Sequence, residues 1–118
     1  MSHYVDGFAF PLPRDLLDDY VPVAEAAAEI WKEHGALDYV EYIGDDVERE
    51  GTRSFANAVA AGDDEVVIFG WVVFDSRETR DIVNDKVVND PRMPTLMESL
   101  KVGFDAERMA YGGFKSLV

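Results

Sequence analysis

The chain has 118 residues, no cysteine and a net charge of −13, because 24 acidic residues outnumber 11 basic ones. The length suits one domain over residues 1–118, and the lack of cysteine excludes disulfides, cysteine-ligated metals and thiol catalysis. An acidic surface repels a phosphate backbone, and neither a basic leader nor a long apolar stretch is visible. We therefore expect a cytoplasmic protein that binds neither nucleic acid nor membrane.

The first predicted elements are a strand over residues 4–12, closed by prolines, and a helix from residue 14 or 15 to His34. Alternation places Tyr4, Asp6, Phe8, Phe10 and Leu12 on one face of the strand. Helical spacing predicts one buried stripe in the helix, formed by Leu17, Val21, Ala24, Ala28 and Trp31. Pro22 predicts a kink or a restart near residues 20–22, and Gly35 is expected to end the helix.

The middle of the chain predicts two strands, over residues 37–43 and 66–74, separated by an irregular insert over 44–64. Within the insert, residues 54–61 form either a short helix or an added strand. The strand over 66–74 is apolar on both faces, so both faces must be kept dry. Two residues compete to cap the helix that follows: Asp75, which has capping-box spacing to Glu78, and Ser76.

That helix is predicted to bury Ile82, Val83 and Val87 and to end before Asp90, with a short helix from Pro94 and a last strand over 109–114. The order predicts an α+β, ferredoxin-like βαββαβ fold with a four-stranded antiparallel sheet, strands one and three central, and both helices on one face. Two helices cover only that face. We therefore predict a homodimer in which a second copy covers the other face, forming a dimeric α+β barrel.

Short motifs spread over nearly the whole chain also point to a family. They are Tyr4-Val5-Asp6-Gly7-Phe8, Gly35-Ala36-Leu37, Ser54-Phe55 with Ala58-Val59, Phe69 and Trp71, Asp90-Pro91-Arg92-Met93, and Arg108-Met109 with Tyr111-Gly112-Gly113-Phe114. Together they resemble the uncharacterised YbaA-like family of bacterial and archaeal proteins. The resemblance implies the dimeric α+β barrel superfamily, which includes cofactor-free monooxygenases, haem-handling proteins, dehalogenase- and isomerase-like enzymes and proteins without known activity. It supplies no catalytic residues to transfer.

Asp6 is the candidate catalytic residue, because it shares a strand face with aromatic residues. If that face is the dimer-facing one, a carboxylate in a low-dielectric setting could act as a base. The alternative is that Asp6 pairs with Arg108 on the last strand. The candidate ligand-binding residues, which would line an apolar barrel interior, are Phe8, Tyr39, Phe69, Trp71, Arg108 and Tyr111.

Two functional hypotheses follow. The first is that the protein binds or transforms a small apolar or aromatic molecule in the barrel interior without metal or cofactor, monooxygenase-like at most by superfamily analogy. The second is a non-catalytic dimeric interaction module that uses its acidic surface or its insert; the same acidity also suits a salty cytoplasm. His3 and His34 lack the spacing of metal ligands, so we expect no metal site.

Overall fold

The computed structural model describes residues 3–100 and 104–118, apart from the side chain of residue 100. The strands are β1 (Tyr4–Pro13), β2 (Asp38–Ile43), β3 (Glu65–Phe74) and β4 (Ala110–Lys115). The α-helices are α1 (Leu17–Glu33), α2 (Phe55–Ala58), α3 (Arg77–Val88) and α4 (Met93–Leu100), and single 3₁₀ turns lie at Arg14–Leu16 and Ala106–Arg108.

The four strands form one antiparallel sheet in the order β2-β3-β1-β4. This order confirms the predicted ferredoxin-like arrangement, with the first and third strands at the centre. β1 continues through Pro11 to Pro13, although proline cannot donate a ladder hydrogen bond. It does so because pairing with β4 ends at Ala9 and Ala110, which leaves β1 as an edge strand beyond that point.

Alternate side chains of β1 and β3 build the main core against the helices. The fully buried members of this core on the sheet are Phe8, Phe10, Leu12, Val66, Ile68, Val72 and Phe74, and α1 and α3 contribute Ile30, Val83 and Val87. The face of β1 that carries Phe8 and Phe10 is therefore the helix-covered face. This placement decides where Asp6 lies.

Helix α1 confirms one sequence expectation and corrects another. Gly35 has φ +123°, and the hydrogen bond from Ala36 N to Trp31 O ends the helix in a Schellman motif, as predicted. The expected restart near Pro22 is wrong, because the helix runs unbroken from residue 17 to residue 33.

The predicted stripe of α1 is only partly correct. Its buried residues are Ala27 and Ile30, whereas Val21 is 48% exposed. Leu17 and Trp31 of the predicted stripe do pack on the core, together with Tyr20, which the prediction left out.

The start of helix α3 shows which of the two predicted residues is its N-cap. The hydroxyl of Ser76 accepts a hydrogen bond from the N–H of Thr79 at 3.1 Å, so Ser76 is the N-cap. Val83 and Val87 are buried as predicted. The predicted burial of Ile82 is wrong, since its side chain is 56% exposed. One residue is a rotation of about 100° around a helix, enough to carry Ile82 off the narrow stripe that faces the sheet.

The buried Asp90 joins the ends of α1 and α3. Its carboxylate contacts His34 Nε2 at 2.7 Å and accepts hydrogen bonds from the backbone N–H, Nε and Nη2 of Arg92. Arg92 also donates to Glu33 on α1. The hydrogen bonds from Arg92 hold the pKa of Asp90 well below its usual range. The Asp90-Pro91-Arg92 motif therefore has a structural explanation as a clamp between helices.

The opposite face of the sheet is only partly covered. The insert folds over one end of it, where Val59 packs against Ala9 and Val67; residues 55–58 form the helical alternative of the two predicted for this segment. Beyond the insert this open face presents Phe69, Trp71 and Phe114, and Phe114 is 64% exposed. The molecule is a slab of 37 × 37 × 20 Å, with a single helix layer on one side of the sheet.

Candidate functional site

Two carboxylates lie on the helix-covered face of the sheet, within an otherwise apolar layer. Asp6 of β1 is paired in register with Val72, and Glu41 of β2 is paired with Gly70. Asp6 has 0% exposure and Glu41 is half-buried. Buried carboxylates need hydrogen-bond donors, and the two find different ones.

Asp6 lies at the centre of a polar cluster beneath α3. Its Oδ2 accepts hydrogen bonds from the Tyr111 hydroxyl at 2.7 Å and from Asn84 Nδ2 at 3.2 Å. None of the described residues donates a hydrogen bond to its Oδ1, and Arg80 Nη1 lies 3.6 Å from it. Arg80 also donates to the Tyr4 hydroxyl at 3.0 Å, with its guanidinium 4.9 Å from the centre of that ring. The cluster therefore binds α3 to β1 and β4.

The charges in this cluster balance each other. Burial lowers the pKa of the Arg80 guanidinium, but Asp6, Tyr4 and Asp81 together outweigh it and the net shift is upward. Burial and the hydrogen bond to Asp6 raise the pKa of the Tyr111 hydroxyl well above its usual range, so Tyr111 keeps its proton and remains a donor. The arrangement is a buried ion pair with hydrogen-bonding neighbours.

Two expectations about Asp6 are wrong. Its face packs against the helices rather than facing the open side of the sheet, because it shares the face of Phe8 and Phe10. Its cationic partner is Arg80 of α3 rather than Arg108. Arg108 instead donates two hydrogen bonds to Glu65, at 2.7 and 2.8 Å, and one to Asp105.

Glu41 forms the second polar cluster, at the β2 edge. One carboxylate oxygen accepts a hydrogen bond from the Tyr20 hydroxyl of α1, and the other accepts one from the Tyr39 hydroxyl at 2.7 Å. Burial, followed by the charge of Glu41, raises the pKa values of both phenols well above the usual range. Both tyrosines therefore keep their protons and donate them in hydrogen bonds to Glu41.

A cavity of about 420 Å³ opens beside this carboxylate, between α1 and β2. Its walls are mainly apolar, and its charged members are all acidic. The lining residues are Leu17, Asp18, Tyr20, Val21, Ala24, Glu25, Ala28, Tyr39, Glu41, Tyr42, Ile43 and Ile68. Pockets of a few hundred Å³ with apolar walls and a few directed polar groups are typical of small-molecule sites.

The structure divides the predicted lining residues among three places. Phe8, Tyr39 and Tyr111 lie on the helix-covered face, where Phe8 stacks on Tyr111 with ring centres 6.4 Å apart. Phe69 and Trp71 lie together on the open face, 5.7 Å apart. Arg108 lies outside both groups, at the end of β3 with Glu65.

Sequence reasoning missed four polar residues of these clusters: Tyr20, Glu41, Arg80 and Asn84. Period-two alternation contained a signal for Glu41, because a strand that turns Tyr39 inward turns Glu41 inward as well. Arg80 and Asn84 are four residues apart and so share a face of α3. The sequence alone gave no sign that Asp6 lies opposite that face.

Among the described residues, no group of three or more histidine, cysteine, aspartate or glutamate side chains is placed to hold a metal ion. No helix in the described part of the chain is long and apolar enough to cross a bilayer. The predicted cytoplasmic location stays a prediction.

Fold and site together define an α+β protein of the ferredoxin-like class with a helix-covered polar interior and an open apolar face. Two solved structures share its fold. A NIPSNAP family protein of unknown function from Agrobacterium tumefaciens has a TM-score of 0.60 at 15% identity, over 97% of this chain and 87% of that one. A dimeric ferredoxin-like protein from an uncultured marine organism has a TM-score of 0.54 at 10% identity, over 100% and 96%.

The family follows from sequence similarity. Residues 3–106 match the family described as "Protein of unknown function (DUF1428)". The chain is 44% identical over 115 residues to the uncharacterized protein YbaA of Escherichia coli strain K12, covering 98% of this chain and 97% of that protein, and equally so to YbaA of Shigella flexneri. The chain belongs to this family, which confirms the resemblance seen in its sequence motifs. The family is one of unknown function, as expected.

Proposed function

We propose that the protein is a homodimer that binds a small organic molecule with a largely apolar body. The observation that carries the proposal is the cavity of about 420 Å³ between α1 and β2, where apolar walls surround one hydrogen-bonded carboxylate. Such a site orients a ligand by one polar end and desolvates the rest of it. The site differs from the predicted barrel interior, although Tyr39 belongs to both.

The homodimer is supported by the total exposed surface of the chain and by the composition of the open face of the sheet. A folded monomer of this mass exposes about 6,400 Å², whereas the chain exposes 7863 Å². The excess exceeds the roughly 800 Å² that each partner buries in a standard interface. Phe69, Trp71 and Phe114 lie on the open face, which carries no charged side chain at its centre. The marine ferredoxin-like protein of similar fold is described as dimeric.

Sedimentation velocity at micromolar concentration tests the dimer. We expect a species of twice the chain mass of 13.2 kDa, and Trp71→Glu should convert it to the monomer by placing a charge at the centre of the interface. Ile82→Glu is the matched control, because Ile82 is also an exposed apolar residue but lies on α3. A native chain that sediments as a monomer would refute this part of the proposal.

Calorimetric titration with small aromatic probes of one skeleton tests the ligand site. We use 2-phenylethylamine, 2-phenylethanol and 3-phenylpropanoate, and expect at least one to bind the native chain. Ala28→Phe, which fills the cavity, should abolish that binding, and Val21→Trp at its exposed mouth should weaken it. Ala106→Phe, on a surface turn, should leave it unchanged. Unaltered binding by both cavity variants would place the ligand elsewhere.

We propose that Asp6 holds α3 on the sheet and is not a catalytic residue. The proposed function is therefore ligand binding rather than an enzymatic reaction. Its 0% exposure and its ion pair with Arg80 support this assignment. The alternative function predicted from the sequence, an interaction module with an acidic surface, would be favoured if the dimer forms and none of the three probes binds.

A further inference from the structure

We infer that the ligand of the α1–β2 cavity is an organic cation, a small amine with an apolar or aromatic body. This inference rests on the proposed function and names the chemical class of its ligand. Three independent features of the cavity lead to it: the direction of its hydrogen bonds, the sign of its charges and the nature of its walls.

The hydrogen bonds at Glu41 leave acceptor positions free but engage the phenol protons of both Tyr20 and Tyr39. Each oxygen of Glu41 already accepts one phenol proton, from Tyr20 or from Tyr39. A carboxylate offers about four acceptor positions, so each oxygen keeps one for a ligand. The two phenol oxygens also keep acceptor lone pairs. A ligand group that donates hydrogen bonds is therefore matched at Glu41, whereas a group that only accepts them would have to break a phenol–carboxylate bond there.

The charges select a cation among the possible donors. The charged residues that line the cavity are Asp18, Glu25 and Glu41, with no lysine, arginine or histidine among the described lining residues. This contrasts with Asp6, whose charge is balanced by Arg80. The carboxylate of Glu41 is half-buried and has two neutral hydrogen-bond donors as its partners in the cavity. An ammonium group would supply the missing positive charge, and the net charge of −13 would attract it from solution.

The walls suit the rest of such a molecule. Leu17, Ala24, Ala28 and Ile68 provide aliphatic surface, and the rings of Tyr20 and Tyr39 flank the carboxylate. Aromatic faces attract cations, and aromatic residues beside a carboxylate are a recurring means of recognising amines. The volume of about 420 Å³ fits a molecule the size of a phenylalkylamine.

Titration of the three probes separates this inference from the proposed function, because they share a phenylethyl body and differ in their polar end. We expect 2-phenylethylamine to bind the native chain at least about tenfold more tightly than 2-phenylethanol, as for a charge-assisted hydrogen bond, and 3-phenylpropanoate to bind most weakly. Glu41→Gln, which keeps the size of the side chain and removes its charge, should bring the affinities for the amine and the alcohol to within about threefold of each other.

Glu25→Gln is the control, since Glu25 lines the same cavity without contacting either phenol; its effect on amine binding should be less than about threefold. Equal affinity for amine and alcohol, or tightest binding of the carboxylate, would overturn the inference and leave the proposed function standing. Binding of none of the probes would overturn both. If Glu41→Gln does not fold, the comparison of the three probes on the native chain decides alone.

Discussion

Asp6 shows how a single residue can suggest chemistry in the sequence and support the fold in the structure. A carboxylate among aromatic residues resembles a catalytic base when only the strand pattern is considered. The structure gives this carboxylate an arginine, an amide and a phenol, and covers it with α3. Asp6 is the buried counter-charge of Arg80, whose side chain is only 19% exposed, and the exposed Asp81 is its second acidic neighbour.

Removing that charge should therefore destabilise the protein. Asp6→Ala leaves the Arg80 guanidinium with only the exposed Asp81, 3.2 Å from its Nε, as a counter-charge. We expect a loss of about 3 kcal/mol in the free energy of unfolding. The double variant Asp6→Leu with Arg80→Met should recover much of this loss. Urea denaturation measures both, with Asp63→Ala in an exposed loop as the control. A loss below about 0.5 kcal/mol for Asp6→Ala would show that the ion pair does not support the fold.

Gly70 is a second residue with a single function in packing. A Cβ atom at this position would lie 2.4 Å from the backbone oxygen of Val40 and 2.7 Å from the ring of Phe8. Glycine thus lets the Phe8 ring rest on the backbone of β3, between the two polar clusters.

Gly70→Ala should cost about 2 kcal/mol or more, because neither the strand backbone nor the buried ring can move away freely. The measurement is the midpoint of chemical denaturation. Gly62→Ala serves as the control, since its Cβ would meet only Glu65 Oε1 at an ordinary distance of 3.5 Å. Equal midpoints for the two variants would contradict the predicted clash.

At the scale of elements, local sequence explains where helices begin and end, and tertiary contacts explain which of their faces is buried. α3 illustrates both, because its cap is local whereas its buried stripe depends on the sheet. Substituting Asp75 and Ser76, the two candidate caps at its start, measures how much the cap contributes to stability.

Ser76→Ala should destabilise the protein by about 1 kcal/mol, since it removes the hydrogen bond to the N–H of Thr79. Asp75→Ala should cost less than about half as much, because Asp75 is not the cap. Thermal unfolding of the two variants compares them directly. The reverse order would restore the capping box predicted from Asp75 and Glu78.

The link between β3 and the turn before β4 should be sensitive to acid. Hydrogen bonds from Arg108 and from the backbone of Gly62 lower the pKa of Glu65 to about 2. A depressed folded-state pKa stabilises the protein above the unfolded-state pKa of about 4.3 and loses that stabilisation as the pH falls toward 2.

We therefore expect the native chain to exceed Glu65→Gln in unfolding free energy above about pH 5, and the difference to close between about pH 4.3 and pH 2. Urea denaturation across this range measures it. Glu48→Gln, in the exposed part of the insert, should show no comparable pH dependence. A difference that persists unchanged at pH 2 would mean that the charge of Glu65 is not the cause.

For the whole molecule, charge and shape act in opposite directions. The net charge of −13 opposes compaction and association, whereas the uncovered apolar face of the slab favours association. Salt screens the repulsion without weakening the apolar contact.

Raising NaCl from about 20 mM to about 500 mM should therefore raise the Tm by about 4 °C, which corresponds to about 1 kcal/mol. The Tm of a variant with four fewer charges in the insert should rise less with salt. Its substitutions are Asp45→Asn, Asp46→Asn, Asp63→Asn and Asp64→Asn. Differential scanning calorimetry measures both. An equal salt response in the two proteins would assign the effect to ion-specific solvation instead.

The order of elements, the central position of the two longest strands and the helix-ending Gly35 were determined by the sequence alone. They depend on local properties: periodicity, turn residues and the absence of a side chain at glycine. The family could also be identified in this way, because its motifs are short and retained along the chain.

The tertiary structure alone decided which face of each strand the helices cover. A period of two separates the faces but does not say which one meets the helices. The sequence therefore left open whether Asp6 faces a second copy, and the structure places it under α3. For the same reason the contact between Tyr20 and Glu41 was not predicted. The two residues are 21 positions apart in the sequence, yet their hydrogen bond forms part of the candidate site. Such pairings depend on the angle at which α1 crosses the sheet, and that angle is set by packing of the whole core rather than by any local pattern.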